Sequence, residues 1–269
     1  MTSGKESWTV VAASVAGVSH AKSATPCQDA HGYKILPNGI LIAAVADGAG
    51  SASLAEVGAE IAVRVGLTEL ETRLLKSAGS ELQADDVTLP SERSLDIAGL
   101  HTILQAVRSA LEAEAEARET PLRELATTLL LVIASEISVT ALQVGDGAII
   151  ASDATGEVFA ITTPPDAEYA NATTFMTSPD AIESAQIAQL SRSVSALALF
   201  SDGLQRLALK MPDGTPHAPF FAPLFRFASG LTATNVLTEG VPQLTAFLRS
   251  PRITERADDD LTLVLAFKK

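Results

Sequence analysis

The chain has 269 residues, 47% of them apolar, and a single cysteine, Cys27; it can bury a sizeable core but cannot close an internal disulfide. With 19 Lys and Arg against 32 Asp and Glu, the formal charge of −13 repels nucleic-acid backbones and anionic headgroups and suits cationic partners or bound divalent ions. "MTSGKESW" is no basic and apolar leader, and "VVAASVAGV" is far too short to span a bilayer, so no nucleic-acid or membrane partner is expected and the location expected is cytoplasmic.

Residues 7–19 and 39–47, rich in Val, Ile and Ala, read as strands joined by a polar segment that holds "PCQDAHG". From Ser53 to about Leu75, Leu54, Val57, Ile61 and Val65 fall three or four apart, the helical period. Residues 77–94 read as a surface connection, and a second helix carries Ile97, Leu100, Leu104, Val107 and Leu111 on one face. Its end, "EAEAEARE", reads as a solvated helical face. After Pro121, "LATTLLLVIAS", "ISVTALQVGDG" and "AIIASDATGEVFAITT" predict antiparallel strands with short turns. A polar stretch covers 163–184, "SVSALALFSDGLQRL" runs from strand into helix, and 233–249 give a last helix. The closing strand "LTLVLAFKK" alternates Leu261, Leu263, Leu265 and Phe267. Continuous apolar strands need cover on both faces, so two antiparallel sheets packed face to face with helices outside are expected.

Asp-Gly steps occur at Asp47, Asp146, Asp202 and Asp213. Asp146 leads into a returning strand and Asp213 lies in "MPDGTP", so both read as ordinary turns. Asp47 and Asp202 follow apolar strands and lead into helix-like sequence, which a hairpin does not explain. Asp29, in "PCQDA", and the run Asp258, Asp259 and Asp260 ahead of a core strand add carboxylates near strand ends. Such a cluster is either fully wet or neutralised by divalent cations, and oxygen ligands favour Mg²⁺ or Mn²⁺. The turn "ADGAGS" lacks the Lys of a phosphate-binding loop, and Asp47 would repel a phosphate unless a metal lay between.

These residues resemble the metal-dependent protein phosphatases, the protein phosphatase 2C-like family, over almost the whole chain. "GVSHAKSATPCQDA", "VADGAGS", "LATTLLLVI", "LQVGDGAII", "LFSDGLQRL" and "DDDLTLVL" match its motifs in family order. The resemblance implies an α+β fold, an αββα four-layer sandwich, as one catalytic domain over 1–269. It also implies a hydrolase that dephosphorylates Ser and Thr side chains of phosphoproteins, the substrates of a Ser/Thr kinase, with two Mn²⁺ or Mg²⁺ ions. Carried over by position, Asp47 would bridge both metals, the Gly48 carbonyl would bind one, Asp202 and Asp259 would hold the first, and Asp29 would orient water near the second. The metals would lower the pKa of a bridging water for in-line attack on phosphorus.

The sequence also departs from the family. The phosphate-binding Arg expected five residues before Asp29 is Ala24, leaving Lys22 or His20 as substitutes. The His after Asp-Gly is Ala49, so a metal-bound water or His20 would protonate the leaving group. The acidic residue expected before the Thr-Thr strand for a third ion has only Glu124 as a candidate, and His31 and His101 read as structural. Two rival functions follow: a catalytically weak phosphatase-like module that binds phosphoproteins or a kinase partner, and a phosphatase for small phosphoesters.

Overall fold

The unbroken apolar runs become the inner strands of two antiparallel sheets in the computed structural model, which describes residues 7–79, 95–164, 173–210 and 213–269. Numbered in chain order, one sheet runs β1 (Trp8–Val15), β12 (Leu261–Lys268), β9 (Ala196–Phe200), β6 (Ala148–Ser152) and β7 (Val158–Thr162). The other runs β2 (Asp29–Ile35), β3 (Leu41–Asp47), β4 (Leu129–Ala134), β5 (Val139–Val144) and β8 (Gln186–Leu190).

Period-two geometry explains why β3 is apolar at every inner position. Leu41, Ala43 and Val45 enter the core between the sheets, where Trp8, Leu130 and Val264 meet them. Ile42, Ala44 and Ala46 face the other way, into the layer formed by α2 (Ala55–Gly79) and α3 (Ile97–Ala117). On the far side, α5 (Ala218–Gly230) and α6 (Val241–Leu248) cover the first sheet through Phe221, Leu224 and Leu244. The layers are therefore helix, sheet, sheet, helix, the expected α+β sandwich. At the start of α3, the Asp96 side chain accepts the Gly99 N–H at 2.8 Å, an N-cap that satisfies one of the orphan donors of the first turn.

Several local expectations change. The first strand ends at Val15, and Val18–Ser23 form a short helix, α1. The polar segment after it contains β2, an edge strand paired on one side only; its half-exposed residues hide the alternation that marks a strand. The same holds for β8, which follows the polar stretch 163–184; residues 165–172 of that stretch lie outside the described residues. Helix α2 runs on to Gly79, and the rest of the expected connection, 80–94, also lies outside them. Residues 218–230, outside any predicted element, form α5. The expected helix over 233–249 splits into a π-turn, Val236–Gly240, and α6. The remaining short elements are α4 (Gln205–Ala208), β10 (Leu209–Lys210), β11 (Thr215–Pro216) and α7 (Pro251–Thr254).

Candidate active site

Two carboxylates meet because of strand register. Asp29 opens β2 and Asp47 closes β3, and the antiparallel ladder places them directly opposite each other. Like charges in that relation are destabilising unless something lies between them. The backbone at Asp47 is tightly fixed: its N–H donates to Thr128 Oγ1 at 3.0 Å, and its carbonyl accepts from Thr128 N–H at 2.8 Å and Thr127 Oγ1 at 3.0 Å. Gly48 follows, buried, donating to the Gln28 carbonyl at 3.2 Å, while no described group donates to the Gly48 carbonyl. A β-carbon at Gly48 would lie 2.7 Å from the Ala55 and Gln28 carbonyl oxygens, so glycine is required by the close approach of the strand end to the start of α2.

The first sheet supplies the other carboxylates. Asp202 follows β9 directly, in the turn that leads to α4. Between β9 and that turn, Ser201 donates from Oγ to Asp29 Oδ2 at 2.7 Å and accepts the Thr262 N–H at 3.1 Å, which links both sheets at this end of the sandwich. Asp259 is exposed, and its Oδ1 accepts the Asp260 N–H at 2.8 Å. Asp260 turns inward, only 2% exposed, and accepts the Gly17 N–H at 2.7 Å, the Gln28 N–H at 2.6 Å and His20 Nδ1 at 2.9 Å.

Burial, followed by the negative charges of Asp29, Asp202 and Asp259, holds the Asp47 carboxyl well above the usual carboxylate range. Burial is also the main cause of the rise at Asp29, to about 7, with Asp260 and Asp202 adding to it against the hydrogen bonds of Ser201 and Thr262. Asp202 is raised to about 6 by burial and by Asp146 and Asp259. The Asp47 and Asp202 carboxyls lie within hydrogen-bonding reach of each other, a separation at which two ionised carboxylates repel. Asp29 Oδ1 and Asp202 Oδ1 are buried and have no hydrogen-bond partner. Among the described residues no Lys or Arg forms an ion pair with Asp29, Asp47, Asp202 or Asp259. Unpartnered hard oxygens with unfavourable mutual charge fit divalent Mg²⁺ or Mn²⁺.

Beside this cluster lies a cleft of about 540 Å³, lined by residues that include His20, Asp202, Gln205, Arg206, Arg256 and Asp259. His20 sits on α1, its side chain 17% exposed and held by Asp260. Lys22 is not among the lining residues: it is exposed on the same short helix, about 200° around the axis from His20 at about 100° per residue. The expectation that Lys22 replaces the missing arginine loses its geometric basis. Glu124 is also engaged elsewhere, accepting the Ser53 N–H at 3.0 Å and Oγ–H at 2.9 Å ahead of α2.

Asp146 is more than a turn residue. Gly145 and Gly147, at φ +91° and +98°, make the β5–β6 turn, but the Asp146 carboxylate is close enough to raise Asp202 and accepts Thr173 Oγ1–H at 2.9 Å. Asp213 does lie in a turn, between β10 and β11. Sequence reasoning also missed Asp260, Ser201 and the two cleft arginines. A buried Asp in a run of three has no sequence signal that separates it from its neighbours, and the arginines lie 50 residues apart. Burial and the negative charges of Asp29 and Asp260 push the Cys27 thiol up, which disfavours its thiolate form.

Comparison with known proteins agrees with this geometry. Residues 16–249 match the family model described as protein phosphatase 2C. The chain is 37% identical to serine/threonine-protein phosphatase 3 of Escherichia coli (strain K12) over 266 residues, 97% of this chain and 98% of that protein. Among solved structures, the S. agalactiae serine/threonine phosphatase superposes with a TM-score of 0.63 at 15% identity, covering 97% of this chain and 99% of that one. RsbX in complex with magnesium superposes with a TM-score of 0.53 at 14% identity, covering 99% of this chain and 97% of that one. Matched by the family model over most of its length and by a curated relative over nearly all of it, the chain belongs to the protein phosphatase 2C family.

Proposed function

We propose that the protein hydrolyses phosphoserine and phosphothreonine in proteins, as one catalytic unit acting on the products of a Ser/Thr kinase in the cytoplasm. No described helix is long and apolar enough to cross a membrane. The observation that carries the reading is the convergence of Asp29, Asp47 and Asp202 at the strand ends, with buried oxygens of Asp29 and Asp202 that no described residue satisfies. Asp47, the Gly48 carbonyl, Asp202 and Asp259 would hold two Mg²⁺ or Mn²⁺ ions, with Asp29 beside the second. Bound there, such ions acidify water for attack on phosphorus and offset the charge that develops on the phosphoryl oxygens.

The protein's own groups do the positioning. The Thr127 and Thr128 hydrogen bonds hold Asp47 rigid, and Ser201 fixes the orientation of Asp29. Asp260 holds His20 through Nδ1, which leaves Nε2, without a described partner, as the ring nitrogen that can pass a proton to the departing Ser or Thr oxygen. The test is phosphate release from phosphoserine and phosphothreonine peptides with Mn²⁺ or Mg²⁺, against excess chelator. Full activity in chelator, or none with either metal, overturns the reading.

A further inference from the structure

The cleft beside the carboxylates carries an unexpected set of donors. Arg206 lies on α4, four residues after Asp202, and Arg256 lies three residues before Asp259, so each guanidinium is tied through a short stretch of backbone to one of the carboxylates. Both stretches are anchored. The Asp258 carbonyl accepts the Ser19 N–H at 3.2 Å and Ser19 Oγ–H at 2.8 Å. A β-carbon at Gly203 would lie 2.2 Å from the Asp260 carbonyl oxygen, so the turn before α4 and the loop before β12 press together.

Neither arginine forms an ion pair among the described residues, although Asp202, Asp258 and Asp259 line the same cleft. Two uncommitted guanidiniums thus share one cleft with the carboxylates of Asp202, Asp258 and Asp259. A ligand that satisfies the donors must bring several acceptor oxygens. It must also carry negative charge to lie against two guanidiniums in a chain of charge −13.

We propose that Arg206 and Arg256 form the phosphoryl-binding side of the site and hold the phosphate oxygens of the substrate and of the product. This rests on the phosphatase reading above and adds the residues that bind the anion. A guanidinium fork matches phosphate oxygens in pairs and stays charged at any working pH, so it binds the dianion where the acidic surface would otherwise repel it.

The test uses two probes on the full chain with Arg206→Ala, Arg256→Ala and the double substitution; both side chains are exposed, and thermal melting checks that the fold is kept. The first probe is inorganic phosphate, with binding followed by calorimetry with and without Mg²⁺. The double substitution is expected to weaken it by about tenfold or more, each single change by less, with Arg256→Lys intermediate. The second probe is hydrolysis of a phosphothreonine peptide and of nitrophenyl phosphate, where KM is expected to rise about tenfold for both while kcat changes less. Mn²⁺ affinity is expected to stay at the parental value. Phosphate binding and KM unchanged in the double variant overturn the proposal, and so does a KM change confined to the peptide, which would put the arginines on flanking residues instead. If the parent hydrolyses neither substrate but binds phosphate through these arginines, the anion site stands and the phosphatase reading falls; an active parent with unaffected phosphate binding gives the reverse.

Discussion

Asp260 and the cluster of Asp29, Asp47 and Asp202 occupy the same end of the sandwich in opposite conditions. Asp260 is saturated, taking two backbone N–H groups and His20 onto its oxygens. In the neighbouring cluster, Asp29 Oδ1 and Asp202 Oδ1 are buried with no described partner, and burial and mutual charge push the pKa values of Asp29, Asp47 and Asp202 up. Fully hydrogen-bonded, a buried carboxylate joins α1, the segment before β2 and the start of β12 into one scaffold. Left unsatisfied, it has the oxygens that a divalent cation would take. Hydrogen bonding, more than burial, separates the two roles.

The sharpest way to break that comparison is Asp47→Asn. Loss of the central ligand is expected to lower turnover by about a thousandfold, on the order of 4 kcal/mol of transition-state stabilisation, and to weaken Mn²⁺ binding. The metal-free variant is expected to melt at or above the parent, because one of several repelling charges is gone. Parental turnover would reduce Asp47 to a turn residue.

Asp260→Ala tests the other side. It strands the Gly17 and Gln28 N–H groups and releases His20, with an expected cost of about 3 kcal/mol in denaturant unfolding. Its metal-free protein is expected to be clearly less stable than that of Asp47→Asn. If both substitutions cost equal stability, the distinction between scaffold and ligand fails.

Acidity gives a third, smaller effect. The folded-state pKa values of Asp29, Asp47 and Asp202 lie above the ordinary carboxylate value, so the folded metal-free protein binds more protons than the unfolded chain. Stability without metal is therefore expected to fall as pH rises from about 4 to about 7. Saturating Mg²⁺ is expected to reverse the slope, since ionised carboxylates bind the ion and protons compete with it. A metal-free stability that rises through that window would show that the cluster is not strained by its own charge.

The layers were legible in the sequence because a strand buried on both faces must be apolar at every position, as β4 and β9 are and as β3 is up to Asp47. Edge strands β2 and β8 escaped because a half-wet strand has no such run, and α5 escaped because Pro219 and Pro223 punctuate it. Asp47 and Asp202 stood out because chain direction changes there from strand to helix. Asp260 did not, since hydrogen bonds over 232 and 243 residues of separation have no local trace. The cleft arginines look like any solvated charge until the fold brings α4 and the loop before β12 together.

Lys22 marks the far end of the scale of effects. The sequence offers it as a stand-in for the arginine absent at Ala24, yet the structure leaves it exposed on α1, turned away from the His20 face and outside the cleft. A solvated lysine on a six-residue helix contributes little, so Lys22→Ala is expected to leave both KM and kcat within about twofold of the parent at saturating Mn²⁺. Side by side with Arg256→Ala, the pair asks whether anion binding belongs to the α1 side of the cluster or to the cleft. A tenfold rise in KM for Lys22→Ala, with Arg256→Ala unchanged, would return the role to α1.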